Sequence, residues 1–323
     1  MRPYTYAVAD SVSAATTRTG ATFLAGGTTL VDLMKLEVLT PDQVVDINGL
    51  PLTGITADGN GLRIGALERM TEVAEHPAVR SDYTLISQAL ELSASPQLRN
   101  MASMGGNLLQ RTRCSYFRDP SMPCNKRSPG TGCPATTGYN RMHAVLGTSD
   151  ACVATHASDV AVALVAAEAS VQISNADGER TVALEQFYRQ PQNTPEVEND
   201  LAPGELITAI TVPPLPVGTR SGYLKIRDRQ SYEFALTSVA AAVTMRGATI
   251  TRARVAAGGV ATVPWRLPEV ENLLVNRPAT ADTFTNAAAA AATDARPLTN
   301  NGFKPALLRR AIARALTDIT EIS

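Results

Sequence analysis

Residues 21–47 run ATFLAGGTTLVDLMKLEVLTPDQVVDI, and this stretch sets the fold class of the first part of the chain. Ala21 to Ala25 is a short buried strand, broken by Gly26-Gly27. From Thr28 to Leu39 the spacing of Leu30, Leu33, Met34 and Val38 is helical. Gln43 to Ile47 is the next strand, closed by Asn48-Gly49. Strand, glycine turn, helix and strand in that order is an α/β pattern. The glycine pair falls where a strand enters a helix. Glycine there lets backbone approach a ligand, and a helix N-terminus offers free N–H groups to an anion. The loop fits neither G-x-G-x-x-G nor the Walker pattern, and no Lys follows the glycines.

Working outward, Gly61 to Ala66 is another strand. Thr71 caps a short helix that turns at His76-Pro77, and Tyr83 to Leu92 is a stronger helix. Ser103-Met104-Gly105-Gly106-Asn107 forms a second small-residue loop. Two such loops suit the pyrophosphate of a long dinucleotide, although a tight turn explains any lone Gly-Gly pair. Ser158-Asp159 caps a helix running to about Glu168, and Val171 starts a hairpin over Asn175 to Gly178. Residues 189–218 are a Pro-, Asn- and Glu-rich crossover with one strand, Leu206 to Val212. Tyr223 to Arg227, Ser238 to Arg246 and Ile250 to Ala257 form an antiparallel meander. The Ala287 to Ala292 run is helical, as is Phe303 to Ile319, which is apolar on one face with arginines opposite. The domain boundary is expected near 213–220.

All four cysteines, Cys114, Cys124, Cys133 and Cys152, lie in one poorly hydrophobic stretch. No Leu, Ile or Val occurs from Gln110 to Ala144. Such a segment cannot bury enough apolar surface to order itself, and loops of this length in a compact domain are functional or disordered. A metal centre bound by the cysteines is the leading means of organising it. Two disulfides suit a secreted chain that needs staples. Structural zinc is usually held by close knuckles such as C-x2-C, which are absent here. An iron–sulfur cluster needs four thiolates and tolerates varied spacing. Between Met104 and Ser149 there are Arg111, Arg113, Arg118, Lys126, Arg127 and Arg141 against Asp119 and no other acid. Cationic surroundings of that kind lower a thiol pKa and stabilise an anionic centre. Four unrelated cysteines in a solvated basic loop remain the bland alternative.

The chain has 323 residues, enough for two domains, with a formal net charge of -1. That balance argues against a nucleic-acid binder. No apolar run approaches a membrane span. The N-terminus MRPYTYAVADSVSAA lacks an apolar h-region and is not read as a signal peptide, so the chain stays in the cytoplasm or leaves already folded with a partner. Asp159 is by default a helix N-terminal acid and Lys225 an edge residue that snorkels. His76, His143 and His156 are expected at the surface or in loops. No Ser-His-Asp set or H-E-x-x-H appears, and nothing looks like a self-sufficient active site.

The segments FLAGGTTLVDLMK, SMGGNLLQ, THASDVAVALVAAEA, GELI and YLKIRDR, in that order, resemble the FAD-binding subunit of the molybdenum hydroxylase (xanthine dehydrogenase) family. The block from LLQRTRC through CNKRSPGTGC to the TH-x-SD motif resembles the branch found in bacterial periplasmic aldehyde oxidoreductases. Ala157 departs from the Pro common before the Ser-Asp pair. The resemblance implies an α+β chain. Residues 1–215 would be a FAD-binding domain of two α/β subdomains (PCMH-type), with a 4Fe–4S-binding insertion at about 110–152. Residues 216–323 would be a small α+β domain with a three-stranded antiparallel sheet and helices. It implies FAD contacts at Thr22, Phe23, Leu24, Ala25, Gly26, Gly27, Thr28, Thr29 and Leu30, which cradle the pyrophosphate. Ser103, Gly106 and Asn107 form the second loop. Asp159 would hold the adenosine end, and Ile207 and Lys225 would lie near the flavin. It implies that Cys114, Cys124, Cys133 and Cys152 bind a 4Fe–4S cluster.

The resemblance also implies a relay. An aldehyde is oxidised at a molybdenum cofactor in a large partner subunit. Electrons then pass through 2Fe–2S clusters in a small subunit to FAD here and on to an external acceptor. Other expectations are a free-standing FAD oxidoreductase with a structural zinc, a flavin subunit of the xanthine or hydroxybenzoyl-CoA type, and a non-enzymatic scaffold held by a cluster. No membrane span or nucleic acid is expected, and a periplasmic complex would be exported folded.

Overall fold

The computed structural model describes residues 1–18 and 20–321. Its strands fall into three sheets that follow one another along the chain. The first is parallel: β1 (Thr5–Val8), β2 (Thr22–Leu24) and β3 (Gln43–Asp46), in the order β1-β3-β2. The second is antiparallel: β4 (Ile55–Asp58), β5 (Gly61–Gly65), β6 (Ser170–Ser174), β7 (Glu179–Ala183) and β8 (Leu206–Val212), in the order β4-β5-β8-β6-β7. The third is an antiparallel meander: β9 (Thr219–Ile226), β10 (Thr237–Arg246), β11 (Thr249–Gly258) and β12 (Trp265–Arg266). Three meander strands were expected, and the short β12 pairs with Ala256 and Ala257 as a fourth.

Helices cover the second and third sheets, and the third is covered on both faces. The second packs on helices Met70–Glu75, Thr84–Glu91 and Asp159–Ala166, with Ile64, Ile86, Leu90, Val160 and Ile210 fully enclosed. Every residue of Asp159–Ala166 is buried, because the helix lies between the second and third sheets. The third sheet packs on helices Pro268–Leu274, Ala281–Ala288 and Lys304–Glu321 through Val255, Val270, Phe284, Leu308 and Ile312. A smaller cluster joins Leu33 and Val38 to Phe117 and Cys124. That contact ties the cysteine segment to the first helix after the glycine pair.

Several elements differ from the sequence expectation. The helix expected over 28–39 spans Leu30–Lys35. Glu37 takes a left-handed φ of 56°, and the Val38 and Leu39 N–H groups turn back onto the Leu33 carbonyl, which ends the helix while keeping Val38 inside. Arg69, not Thr71, precedes the short helix, and the Thr71 hydroxyl bonds Asn100 Oδ1 instead. The small-residue loop at 103–107 is largely helical: Ser103 caps Met104–Leu108 by accepting from the Gly106 N–H at 3.2 Å. The alanine run is an α-helix to Ala288 and a 3-10 turn over Ala289–Ala292. Among the described residues no helix is long and apolar enough to cross a membrane.

Candidate functional site

The two glycine segments meet. A Cβ built on Gly26 would lie 1.9 Å from the Met101 carbonyl oxygen, so the first loop is pressed against the backbone leading into the second. Gly27 has φ +72°, a conformation that L side chains resist. Asn48, just past β3, donates to the Ala25 carbonyl at 3.0 Å and fixes the loop from the other side.

Thr28, Thr29, Gly106 and Asn107 then line a cleft of about 390 Å³. Its walls include Asp32, Arg113, Arg118, Asp159 and Lys225, and Tyr232 to Phe234 from the β9–β10 connection. A second lobe of about 410 Å³ shares Arg113, Arg118, Ala157, Asp159, Glu233 and Phe234 and extends to Tyr139, His143 and Gly259. Together the lobes form one elongated channel, to which the third sheet contributes Lys225, Ser238 and Gly258. It has a basic middle, where Arg113 and Arg118 share Asp32 (3.3 and 2.9 Å).

Asp159 and Lys225 form a buried pair at its base, 2.7 Å apart with side chains 8% and 1% exposed. Asp159 also accepts from Tyr223 (2.7 Å) and Ser93 (3.3 Å), and Lys225 donates to the Leu92 carbonyl (3.1 Å). Lys225 is therefore an enclosed ion-pair partner and not a snorkelling edge residue. Ser158 caps the helix and donates to Asn107 Oδ1 at 2.5 Å, which orients that amide at the cleft wall. Among the FAD contacts implied by the resemblance, Thr28, Thr29, Gly106, Asn107, Asp159 and Lys225 share the first lobe. Thr22, Phe23 and Leu24 are the β2 strand behind the loop. Ile207 is buried in β8, paired with Ile173, and is not among the cleft-lining residues. Arg113 and Arg118 were read from sequence only as basic surroundings of the thiols, and Tyr232 and Phe234 went unassigned. The one local signal was the pair of aromatics in SYEF beside an Arg-Asp-Arg run.

The four cysteines converge on one small cavity beside the second lobe. It is about 10 Å³ and is lined by Cys114, Cys124, Cys133, Cys152, His143 and Phe117, with no acidic residue. None of the four lies within a helix or an extended strand. Among the described residues, no three His, Cys, Asp or Glu side chains stand close enough together to hold a single ion.

Basic neighbours were expected to lower the thiol pKa values; Lys126 does act that way on Cys152, but burial outweighs it. Burial pushes the Cys114 thiol up to about 12 and raises Cys133 and Cys152 as well. The basic groups are largely spent elsewhere. Arg111 and Lys126 pair with Glu198, Arg113 and Arg118 with Asp32, and Arg141 with Asp228. Arg127 donates to the Tyr116, Phe117 and Met122 carbonyls and so braces the turn around Cys124. His143 and His156 lie in loops, as expected, but each buries a ring nitrogen. His143 Nε2 lies 3.1 Å from Cys114 Sγ, and burial pushes its pKa down to about 4.

Two family profiles match. Residues 2–215 fit the FAD binding domain in molybdopterin dehydrogenase, and residues 222–319 fit the CO dehydrogenase flavoprotein C-terminal domain. This chain belongs to the FAD-binding subunits of the molybdenum hydroxylases. It is 48% identical, over 98% of each chain, to the aldehyde oxidoreductase FAD-binding subunit PaoB of Escherichia coli (strain K12). It is 31% identical, over 79% of this chain and 73% of the other, to the glyceraldehyde dehydrogenase medium chain of Sulfolobus acidocaldarius. Among solved structures, the reconstituted CO dehydrogenase from Oligotropha carboxidovorans shares the fold, with TM-score 0.79 at 22% identity over 100% of this chain and 99% of that one. The flavin-subunit fold implied by the resemblance is the one observed. In the family the molybdenum chemistry belongs to other subunits, and this chain is the flavin-bearing one.

Proposed function

We propose that this chain is the FAD and 4Fe–4S electron-transfer subunit of a heterotrimeric molybdenum-dependent aldehyde oxidoreductase. Its partners would be a large molybdenum-cofactor subunit and a small 2Fe–2S subunit. The observation that carries the proposal is the gathering of all four thiols on one cavity against the wall of a flavin-sized cleft. The aldehyde as substrate class is supported by the names of the relatives at 48% and 31% identity.

The chain's own residues would do three things. Gly26 and Gly27, with Thr22 to Ala25 behind them and Thr28 to Leu30 ahead, bring backbone to the cofactor. Ser103 holds the Gly106 N–H while Asn107, set by Ser158, faces the cleft. Asp159 and Lys225 brace the floor at the adenosine side, and Ile207 packs the sheet beneath. Bound FAD would supply the acceptance of electrons and their delivery to an external acceptor. The two units, 1–215 with its insertion at about 110–152 and 216–323, would meet along this channel.

The sequence spacing, which lacks a close C-x2-C knuckle, is what favours a cluster over a zinc staple. The cavity between the thiols is about 10 Å³ and no three of the described His, Cys, Asp or Glu side chains stand close enough to share one ion, so either group would require the thiol-bearing turns to shift; those turns lie outside regular secondary structure. A periplasmic site of action, reached by export of the folded complex on a partner's signal, is part of the same proposal.

The purified complex should show flavin absorbance over a broad iron–sulfur band, with molybdenum and iron but no stoichiometric zinc. Its flavin should be reduced anaerobically by an aldehyde. One zinc per chain in place of the cysteine-bound iron, or aldehyde turnover by this chain alone, would overturn it.

A further inference from the structure

His143 was unremarkable in the sequence, yet the fold places it at one particular boundary. Among the described residues, only Cys114 and His143 line both the four-thiol cavity and the second lobe of the cleft. Their contact, 3.1 Å from Nε2 to Sγ, therefore lies in the wall between the two compartments.

The ring is held there by its own backbone. The His143 N–H donates to the Asn140 carbonyl at 3.0 Å, and its carbonyl accepts from Asn301 Nδ2 at 3.2 Å. Tyr116 flanks the ring, with centroids 6.3 Å apart. Nδ1 is buried without a partner. A neutral imidazole carries one N–H and one lone pair. Once it ligates a cluster, Cys114 is a thiolate with no proton to give, so Nε2 would carry the hydrogen, which leaves Nδ1 as a bare lone pair and avoids an orphaned N–H. That tautomer is the cheaper arrangement, since a buried donor left unpaired is rare and costly.

We propose that His143 is a positioning residue for the cluster: its Nε2–H donates to the Cys114 thiolate, orients that ligand at the flavin-facing wall, and raises the cluster's reduction potential. The assignment rests on the four cysteines binding the cluster. Hydrogen bonds to ligating sulfur and the burial around a cluster set its potential, because a donor offsets the added negative charge of the reduced form.

The test uses the purified complex, with redox titration followed by low-temperature electron paramagnetic resonance. His143→Leu removes the donor while filling the space, and His143→Gln keeps a donor. We expect His143→Leu to retain iron and flavin but to move the cluster midpoint negative. The shift should be roughly tenfold in the reduced-to-oxidised ratio at the wild-type midpoint, with the flavin midpoint unmoved. His143→Gln should recover most of the shift. Iron retained with an unchanged midpoint in His143→Leu would overturn the role of His143 and leave the cluster in place. A Cys114→Ser complex that keeps the wild-type iron content would remove the cluster itself and the inference with it. Should His143→Leu lose its iron, His143→Gln decides. A near-wild-type midpoint sustains the donor, and a negative shift of the tenfold size expected for loss of the donor overturns it.

Discussion

A Cβ at position 26 has nowhere to go. It would sit 1.9 Å from the Met101 carbonyl oxygen and 2.7 Å from its carbon, and backbone cannot swing aside as a side chain can. Gly26→Ala should therefore lower stability by about 2–3 kcal/mol and lose flavin as the two loops part. Gly27 meets nothing closer than the Val31 and Leu24 side chains at 3.2 and 3.3 Å, and its constraint is the positive φ. Gly27→Ala should cost about 1–2 kcal/mol. Thermal unfolding and flavin content of the two variants check this order, and equal losses would contradict it. The Asp159–Lys225 pair gives a second residue-scale outcome. Lys225→Met leaves a buried carboxylate facing Tyr223 and Ser93 and should cost about 3–5 kcal/mol. Lys225→Met/Asp159→Leu should recover part of that loss. A double-mutant cycle by denaturant unfolding measures it, and strict additivity would show that the two do not couple.

At the scale of elements, the cysteine segment is held by its turns, by Phe117 and Ala135 packed inside, and by acids that reach it from far along the chain. Those contacts leave the cavity itself to be filled. Each of the four Cys→Ser variants should lose iron and gain protease cleavage between residues 110 and 152, and chelation of the wild-type complex should do the same. Four variants with full iron and an uncut segment would show that the thiols are not ligands. The elements also show what a sequence does and does not disclose. β8 was legible residue for residue, because LITAITV is almost entirely buried between proline-rich flanks. β1 was not, since Thr5, Tyr6 and Val8 are all exposed and no in-and-out alternation marks it. The helix after Gly27 was overrun because apolar spacing cannot reveal that Glu37 turns left-handed. In the site, composition alone singled out the thiols. The pairing of Arg113 with Asp32 or Lys126 with Glu198 spans about 70–80 positions and follows from tertiary contact, which no local pattern encodes.

Across the whole molecule, residues 300–304 close over the cysteine segment. Asn300 and Asn140 exchange hydrogen bonds at 2.8 and 3.4 Å, and Asn301 reaches the His143 and Ala144 carbonyls. The fully buried Lys304 ammonium donates to the Met142 and Gly259 carbonyls at 3.0 and 2.5 Å. Burial, with Arg141 nearby, pushes the Lys304 pKa down to about 7. The folded state then resists the proton more than the unfolded chain, whose lysine titrates near 10.4. This group costs stability below about pH 7, and the cost is relieved as pH rises from there toward 10. Wild type should gain stability between pH 7 and 9 relative to Lys304→Met, as read from denaturant midpoints at each pH. Parallel curves for the two would remove the lysine as the cause.

The same clasp carries a consequence for biosynthesis. At about 5–20 residues per second, the roughly 150 positions between Cys152 and Lys304 take about 8–30 s to synthesise. Through that interval the thiols have emerged, yet the segment that locks over them has not. Iron delivery to the growing chain would meet an open site, and so would oxidants, so the timing of metal insertion relative to chain completion governs yield. A chain ended before Asn300 should accumulate sulfenylated or mispaired thiols under aerobic expression and retain little iron. Full iron in that truncated chain would show that the site is sealed before the carboxyl-terminal helix arrives.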